Sequence, residues 1–371
     1  MSLAIETVAA ELPADPILGA WRDQIRSAAA DRRTLVIQGG GSKGFYGLPV
    51  EGERLDARQY RGIVAYEPTE LVITARCGTP LADIESALAQ RGQMLAFEPP
   101  RFSPASTIGG VVAAGLSGPR RMAAGAVRDF VLGVRLMDGK GDLLSFGGQV
   151  MKNVAGYDVS RLLAGSLGCL GVLAEVSLKV VPRPRTEMTL QFELSEAEAL
   201  HRLNRWSGQP LPLSASAWFD GILHLRLSGA EPAVAAARQK LGGDALAEGA
   251  AADLWAGLRD QRHGFFGAGR DSLFRLALPD TAAPLALPDP QLIEWGGAQR
   301  WCRAHADRLD EIRAMAAAAG GHATLFRPAE GSRRTAFLAP LPKPLQRIHR
   351  ALKESFDPAG VFNRGRMYPE F

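Results

Sequence analysis

The sequence predicts an α+β chain of two domains, on three observations. Short apolar runs alternate with glycine-studded loops as far as Pro184, a strand-helix-strand-strand-helix order follows Arg185, and 371 residues exceed the roughly 100–200 of one ordinary domain. The second half reads as ferredoxin-like if a further strand closes it. Residues 1–184 form the expected first domain, 185–335 a cap-type α+β domain and 336–371 a C-terminal segment.

Composition narrows the function classes. A content of 46% hydrophobic and 22% charged residues is that of a soluble globular protein. The net charge of +4 comes from scattered arginines without a long basic run, which argues against a nucleic-acid stripe and suits small anions or an acidic partner. Cys77, Cys169 and Cys302 have no disulfide, zinc or iron–sulfur spacing, so a reducing cytoplasm is the natural inference. Neither a signal peptide nor an apolar run of bilayer length is apparent, and any membrane contact would go through partners.

In chain order, Leu18, Trp21, Ile25 and Ala28 make one helical face, and the buried-type strand TLVIQ follows at 34–38. GGGSKG comes next. Its Gly39, Gly41 and Gly44 match GxGxxG, but a Rossmann loop must open a helix, and Gly47, Pro49 and Gly52 stand where that helix would run. What remains is a strand and a nest of N–H groups from Gly39, Gly40 and Gly41, with Ser42 as hydroxyl and Lys43 as cation. Such a loop is a pyrophosphate cradle; a glycine-rich hairpin accounts for it equally well.

LVITAR, from Leu71, is a second strand. It leads to a packing helix with Thr79 as N-cap, Pro80 at the first position, Leu81, Ile84 and Leu88 on the buried face and Gly92 at the end. Residues 99–121 are poor in side-chain volume, since Ala113, Ala114 and Gly115 follow Gly109 and Gly110. Such a segment either packs against another backbone or lies under a flat ligand, with Ser103 and Thr107 able to add hydroxyl contacts. Phe130 to Met137 then reads as a strand with an Asp138–Gly139 turn.

The stretch 150–184, VMKNVAGYDVSRLLAGSLGCLGVLAEVSLKVVPRP, is the most informative. Asp158 caps a short helix that Gly165 ends, and Gly165, Gly168 and Gly171 let backbone N–H groups approach a ligand. From Val172 apolar residues alternate with Glu175, Ser177 and Lys179, a half-buried strand ending at Pro182. An ordinary helix-turn-strand would explain this segment taken alone. In the cap, MTLQFEL is a strand, SASAWF and ILHLRL flank the hairpin turn Asp220–Gly221, and a helix covers 233–241. SLFRLAL, 272–278, is the candidate closing strand, whereas 242–252 and the Pro/Ala-rich 279–290 read as loops. Two further helices carry Leu309, Ile312 and Ala316, then Leu345, Ile348 and Leu352.

The collinear set QGGGSK, TIGGVVAAGLSG, RDFVLG and the 150–184 stretch resembles the FAD-binding domain of the vanillyl-alcohol oxidase and p-cresol methylhydroxylase (PCMH) type over roughly residues 30–184. With GGHATLFR at 320–327 and DPAGVFNRGRMY at 357–368, the chain is similar within that fold to the FAD-binding E subunits of bacterial glycolate oxidases. The resemblance implies a two-subdomain PCMH-type FAD-binding domain under the cap, with Gly39, Gly40, Gly41, Ser42 and Lys43 on the pyrophosphate. It implies Thr107, Gly109, Gly110 and Gly115 along the flavin, Asp129, Gly168, Gly171 and Val172 at the nucleotide end, and Asn363 returning to the isoalloxazine. It further implies a paralogous flavoprotein subunit and an iron–sulfur subunit as partners, and a small 2-hydroxyacid as substrate. Arg364 stands where many members have Pro, and Cys169 where Thr is frequent in the wider superfamily.

All six histidines follow residue 200, so the first domain offers none for a covalent flavin link, and noncovalent FAD is expected. No two lie within four residues of each other, which removes the commonest helical metal pair; no metal is expected. His224 reads as outward-facing and His349 as packed, and His322 is the one histidine carried as a catalytic candidate. Oxidation of a 2-hydroxyacid needs a base and a cation for the carboxylate. Related D-2-hydroxyacid dehydrogenases carry a histidine-rich cluster with an EHG segment, absent here. Arg364 and Arg366 are candidates for the cation; surface charges or contacts to a partner subunit are the other readings. Three functions stay open: a subunit that accepts or relays electrons while a paralogous subunit oxidises the substrate, a self-sufficient dehydrogenase, and a scaffold whose pocket has decayed.

Overall fold

The computed structural model describes residues 15–148, 158–267, 269–331 and 337–371. Helix α1 (Pro16–Ala30) starts where Asp15 accepts from the N–H groups of Ile17 and Leu18, with Pro16 at the first position, and it buries the predicted face of Leu18, Trp21, Ile25 and Ala28. Strands β1 (Leu35–Gln38) and β2 (Glu53–Asp56) pair in parallel, and the intervening residues 39–52 form turns without a helix.

A five-stranded antiparallel sheet follows, built from β3 (Ile63–Glu67), β4 (Val72–Arg76), β6 (Val131–Met137), β7 (Leu143–Gly147) and β8 (Val172–Lys179) in the order β3-β4-β8-β6-β7. Between these strands run α2 (Leu81–Ala89), the short β5 (Gln93–Met94), α3 (Ile108–Ala114), α4 (Arg121–Ala124) and α5 (Val159–Leu162); β5 pairs with β9 (Val181–Pro182). Two local expectations need correction. Thr79 is no side-chain cap: its hydroxyl accepts from the Gly62 N–H and bonds the Arg76 carbonyl at 2.6 Å, and α2 starts behind Pro80 without a capping side chain. Strand β8 is central in the sheet and buried on both faces, not half-buried. Leu173, Val176 and Leu178 join the core with α2 and α3, whereas Val172 and Ala174 pack against α1 and Phe362.

The cap is one eight-stranded antiparallel sheet. Strand β10 (Thr186–Glu193), α6 (Glu196–Ser207), β11 (Leu213–Phe219), β12 (Ile222–Gly229), α7 (Glu231–Leu241) and β13 (Asp244–Ala245) form its first half in the order β13-β10-β12-β11, the ferredoxin-like arrangement. Asp220 and Gly221 both take positive φ, +51° and +76°, as a two-residue hairpin turn requires. The strand that closes this unit is β13, inside the expected 242–252 loop, and helix α8 (Glu248–Arg259) follows it. Two residues are too few for a period-2 signal. The anticipated closing strand, β14 (Ser272–Ala277), instead joins β15 (Gln291–Glu294), β16 (Gln299–Ala304) and β17 (His322–Arg327) in the second half, order β15-β16-β14-β17, with α9 (Leu309–Ala318) behind. Helix α10 (Lys343–Phe356) leads into the C-terminal residues.

The cap and the first domain share a core. Ala215, Ala217, Leu273, Leu292, Trp301 and Phe326 on the inner sheet face pack with Tyr46, Leu48, Ala114 and Leu116, and burial of this apolar surface holds the cap on its base. His224, expected to face outward, also lies on this inner face. It is buried and stacked on Phe219 at 4.7 Å, and burial pushes its pKa down to about 4.

Candidate flavin site

The three glycine-rich stretches meet at one place. Thr107 caps α3 by accepting from the Gly110 N–H at 3.2 Å, and Ser106 Oγ lies 2.9 Å from Ser42 Oγ, joining the first stretch to the second. The Gly165 and Leu167 N–H groups donate to the Val112 and Ala113 carbonyls, both at 2.9 Å, which joins the second to the third. Asn363 then clamps the assembly. Its Oδ1 accepts from the Ile37 N–H at 2.9 Å, its Nδ2 donates to the Leu167 carbonyl at 2.7 Å, and its own N–H donates to the Leu35 carbonyl at 3.0 Å.

The result is a cavity of about 200 Å³ lined by Gly39, Gly40, Gly41, Ser42, Lys43, Thr107, Gly110, Ala113, Ala114, Leu167 and Asn363. The backbone N–H groups of Gly40, Gly41, Ser42 and Lys43 are not taken up by any described residue. Lys43 Nζ has Ser42 Oγ at 3.4 Å and the Phe102 ring at 5.7 Å but no carboxylate within ion-pair distance among the described residues, and burial pulls its pKa down to about 8. Unpaired donors and a desolvated cation at one loop ask for an anion. The small side chains of Gly110, Ala113 and Ala114 leave room beside it for a flat group. These residues fit FAD, whose pyrophosphate residues 40–43 would hold.

The remaining candidates lie elsewhere. The missing side chains of Gly109, Gly115, Gly168 and Gly171 face protein: Cys77, the Gly165 backbone, Asn363 Nδ2 at 2.7 Å and the Met137 carbonyl, respectively. Val172 is fully buried in β8. Asp129 accepts from the Ala126 N–H at 2.8 Å and so shapes the turn before β6. Arg366 borders the cavity, but its guanidinium donates to the Leu48, Gly44 and Tyr46 carbonyls at 2.9, 3.2 and 2.7 Å, tying residues 44–48 to the C-terminal segment. Arg364 is exposed, and His322 opens β17 at the edge of the cap sheet. Residues 149–157, including MKNVAGY, lie outside the described residues.

Three features carry weight that the sequence reading missed. Glu98, at φ +48°, accepts from the Arg120 N–H at 2.8 Å and from Arg226 Nη2 at 2.9 Å, joining first domain to cap. Burial opposes its charge, yet Arg226 and Arg120 outweigh burial and hold the carboxyl below the usual range. Lys353 and Asp357, four residues apart at the end of α10, form a buried pair at 2.6 Å. That i,i+4 spacing was a signal available in the sequence. Glu294, fully buried, accepts from Gln299 Nε2 at 2.9 Å and Trp301 Nε1 at 2.8 Å, and desolvation pushes its pKa up to about 7. The folded chain therefore binds more protons than the unfolded chain between about pH 4.5 and 7, so this group lowers stability as pH rises through that window. Glu294→Gln is expected to remove a slope worth at most roughly 3 kcal/mol, measured as urea unfolding at the two ends of the window.

Among the described residues no helix is long and apolar enough to cross a membrane. Residues 20–147 match the FAD binding domain family. The glycolate oxidase subunit GlcE of Escherichia coli (strain K12) is 52% identical over 348 residues, 94% of this chain and 96% of that protein. The glycolate oxidase subunit GlcD of Bacillus subtilis (strain 168) is 32% identical over 171 residues, 45% of this chain and 36% of that protein. Among solved structures, an alkyldihydroxyacetonephosphate synthase superposes with a TM-score of 0.62 at 14% identity, over 92% of this chain and 74% of that one, a likeness of fold. With a glycine-lined slot in place and half its residues shared along nearly the whole of both chains, this protein belongs to the GlcE family of FAD-binding glycolate oxidase subunits.

Proposed function

We propose that this chain is the FAD-carrying subunit of a complex that oxidises glycolate or a related small D-2-hydroxyacid, accepting or relaying the electrons of that oxidation. The observation that carries the reading is the slot itself: four unclaimed N–H groups and the Lys43 ammonium at the turn, a small-residue floor and the Asn363 clamp, in a chain so similar to GlcE. Bound FAD supplies the ring that takes up a hydride. This chain's residues hold the pyrophosphate, and the cap packed over Tyr46, Leu48 and Leu116 closes that side to water. The partners we assign are a paralogous flavoprotein subunit related to GlcD, whose likeness to 45% of this chain supports the pairing, and an iron–sulfur subunit. Cytoplasmic placement, with membrane association only through those partners, goes with the same reading.

Purified alone, the chain is expected to be yellow. Under anaerobic glycolate its absorbance near 450 nm should persist, and it should bleach once the partner subunits are present. Bleaching of the isolated chain would replace the relay by a self-sufficient dehydrogenase. Colourless protein that takes up no added FAD would sink both and leave the scaffold.

A further inference from the structure

Helix α10 carries an apolar seam that outruns the domain it packs on. Leu345, Leu352 and Phe356 recur at i, i+7 and i+11, with Ile348 and His349 beside them, so these residues lie along one side of the helix. The C-terminal half of the seam is covered. Phe356 is buried in the core of the first domain, where its ring meets Phe146 at 6.0 Å, and Leu352 packs against that core. The N-terminal half is bare, with Leu345 45% and Ile348 54% exposed. Among the described residues only five large apolar side chains stand so open, and a third of them, Leu162 on α5, borders the same place. Between α5 and α10 lies an open groove of about 430 Å³, lined by Leu162, Leu170, Leu352, Met367 and Phe371. Loop 164–170 lines it too, and the same loop gives Leu167 to the flavin slot, so the two places share one wall.

The charges around the groove are predominantly positive. Arg128, Arg161 and Lys353 line it, and among the described residues no Asp or Glu does. Lys353 is taken by Asp357 and Arg161 by Asp158, whereas Arg128 has Asp129 only at 3.9 Å. On α10 itself, the exposed side chains of Lys343, Arg347 and Arg350 have neither a hydrogen bond nor an ion pair among the described residues. Exposed arginines elsewhere are matched: Arg308 meets Glu311, Arg58 meets Asp56 and Arg33 meets Asp31. A bare apolar seam beside unpaired cations marks a contact surface. The cations select the sign of what binds, because opposite charges at a rim steer encounter and suppress wrong partners. The groove selects its shape, since a concavity is filled by a ridge of protein side chains and not by a flat bilayer. A second copy of this chain would set the same cations against themselves.

We infer that the groove between α5 and α10, with the bare seam of Leu345 and Ile348, docks a partner subunit that presents an apolar ridge edged with carboxylates. This rests on the reading that the chain works in a complex, and it adds where the partner sits. Seated there, the partner touches the loop that also walls the flavin slot.

The test is assembly. The chain is expressed with its GlcD-type and iron–sulfur partner subunits, and the complex is recovered on a tag carried by this chain. Leu345→Glu combined with Ile348→Glu is expected to weaken association roughly 10–100-fold, as loss of apolar anchors implies. It should keep the flavin absorbance and urea unfolding of wild type, because both side chains are exposed. Arg347→Glu combined with Arg350→Glu should also weaken association, and the loss of wild-type assembly on adding salt should be blunted in that variant. Ile63→Glu combined with Val64→Glu, at the bare apolar pair on β3, should assemble as wild type does. Partner subunits that co-purify equally with wild type and with both α10 variants overturn the inference and leave the complex standing. A wild type that sediments alone as a dimer, or binds phosphatidylglycerol vesicles, and loses that property on Leu345→Glu with Ile348→Glu also overturns it, by giving the face to a second copy or to a membrane. Should that variant fail to fold, the charge-reversed one decides by the same criterion. A yellow wild type that recovers no partner takes down the complex reading, and the inference with it.

Discussion

Replacing Gly110 by Val is expected to strip the protein of FAD while leaving it folded, and replacing Gly40 by Val to strip it of FAD by breaking the site. The difference comes from what each missing side chain faces. A Cβ on Gly110 meets only Thr107 Oγ1 at 3.2 Å, and the residue borders the cavity, so the added methyls enter the ligand's volume. Within α3 a Gly-to-Val change costs the helix nothing. Affinity for FAD should fall roughly 5–150-fold, the range of a 1–3 kcal/mol overpacking penalty. A Cβ on Gly40, by contrast, would overlap the carbonyl oxygen of Ala105. The loops 39–44 and 103–107 must then separate, at a stability cost of about 1–3 kcal/mol or more. Absorbance near 450 nm together with urea unfolding of the apoproteins separates the two cases. A Gly110→Val protein that retains its flavin sinks the placement of α3 along the ring.

The second large effect is expected at Asp357. Its carboxylate holds Lys353 Nζ at 2.6 Å and accepts from the Val361 and Phe362 N–H groups at 2.9 and 2.8 Å. The same ammonium donates to the Cys169 and Phe362 carbonyls at 2.7 and 2.8 Å. Asp357→Ala strands a buried cation and two N–H groups together, which costs about 3–5 kcal/mol. The segment 361–363 should come away from β1, and Asn363 should release its clamp. Flavin loss is therefore expected to accompany the drop in unfolding free energy. Adding Lys353→Met should restore part of that drop, because the stranded charge is gone; full additivity of the two changes would show that the pair does not act as a unit.

The sequence was readable where a single element carries its own periodicity or turn chemistry. The α1 face, the Asp220–Gly221 hairpin and the absence of a helix after GGGSKG all follow from local rules, and the structure shows each of them. It was unreadable where tertiary neighbours decide. The alternation in β8 looks half-buried, but Glu175 is taken up by Tyr60 and Arg135, and both faces are covered. His224 alternates with leucines as a surface residue would, yet α8 and the first domain cover that face. Glycines posed the sharpest problem. Gly110 and Gly109 are adjacent, yet a side chain on Gly110 would enter the cavity whereas one on Gly109 would run into Cys77. Sequence shows that a side chain is absent, and only the structure shows what lies in its place. The same holds for arginine: Arg366 looked available and is bound to carbonyls.

The union of Leu35 with Phe362, and of Ile37 with Asn363 across 326 residues, also sets a timetable. At roughly 5–20 residues per second a ribosome needs about 15–65 s to travel from one to the other. Throughout that interval the nascent β1 has no C-terminal neighbour, and the slot lacks its last wall. Cofactor capture must therefore follow translation of the terminal segment, and a stalled or truncated message yields a chain that cannot retain FAD.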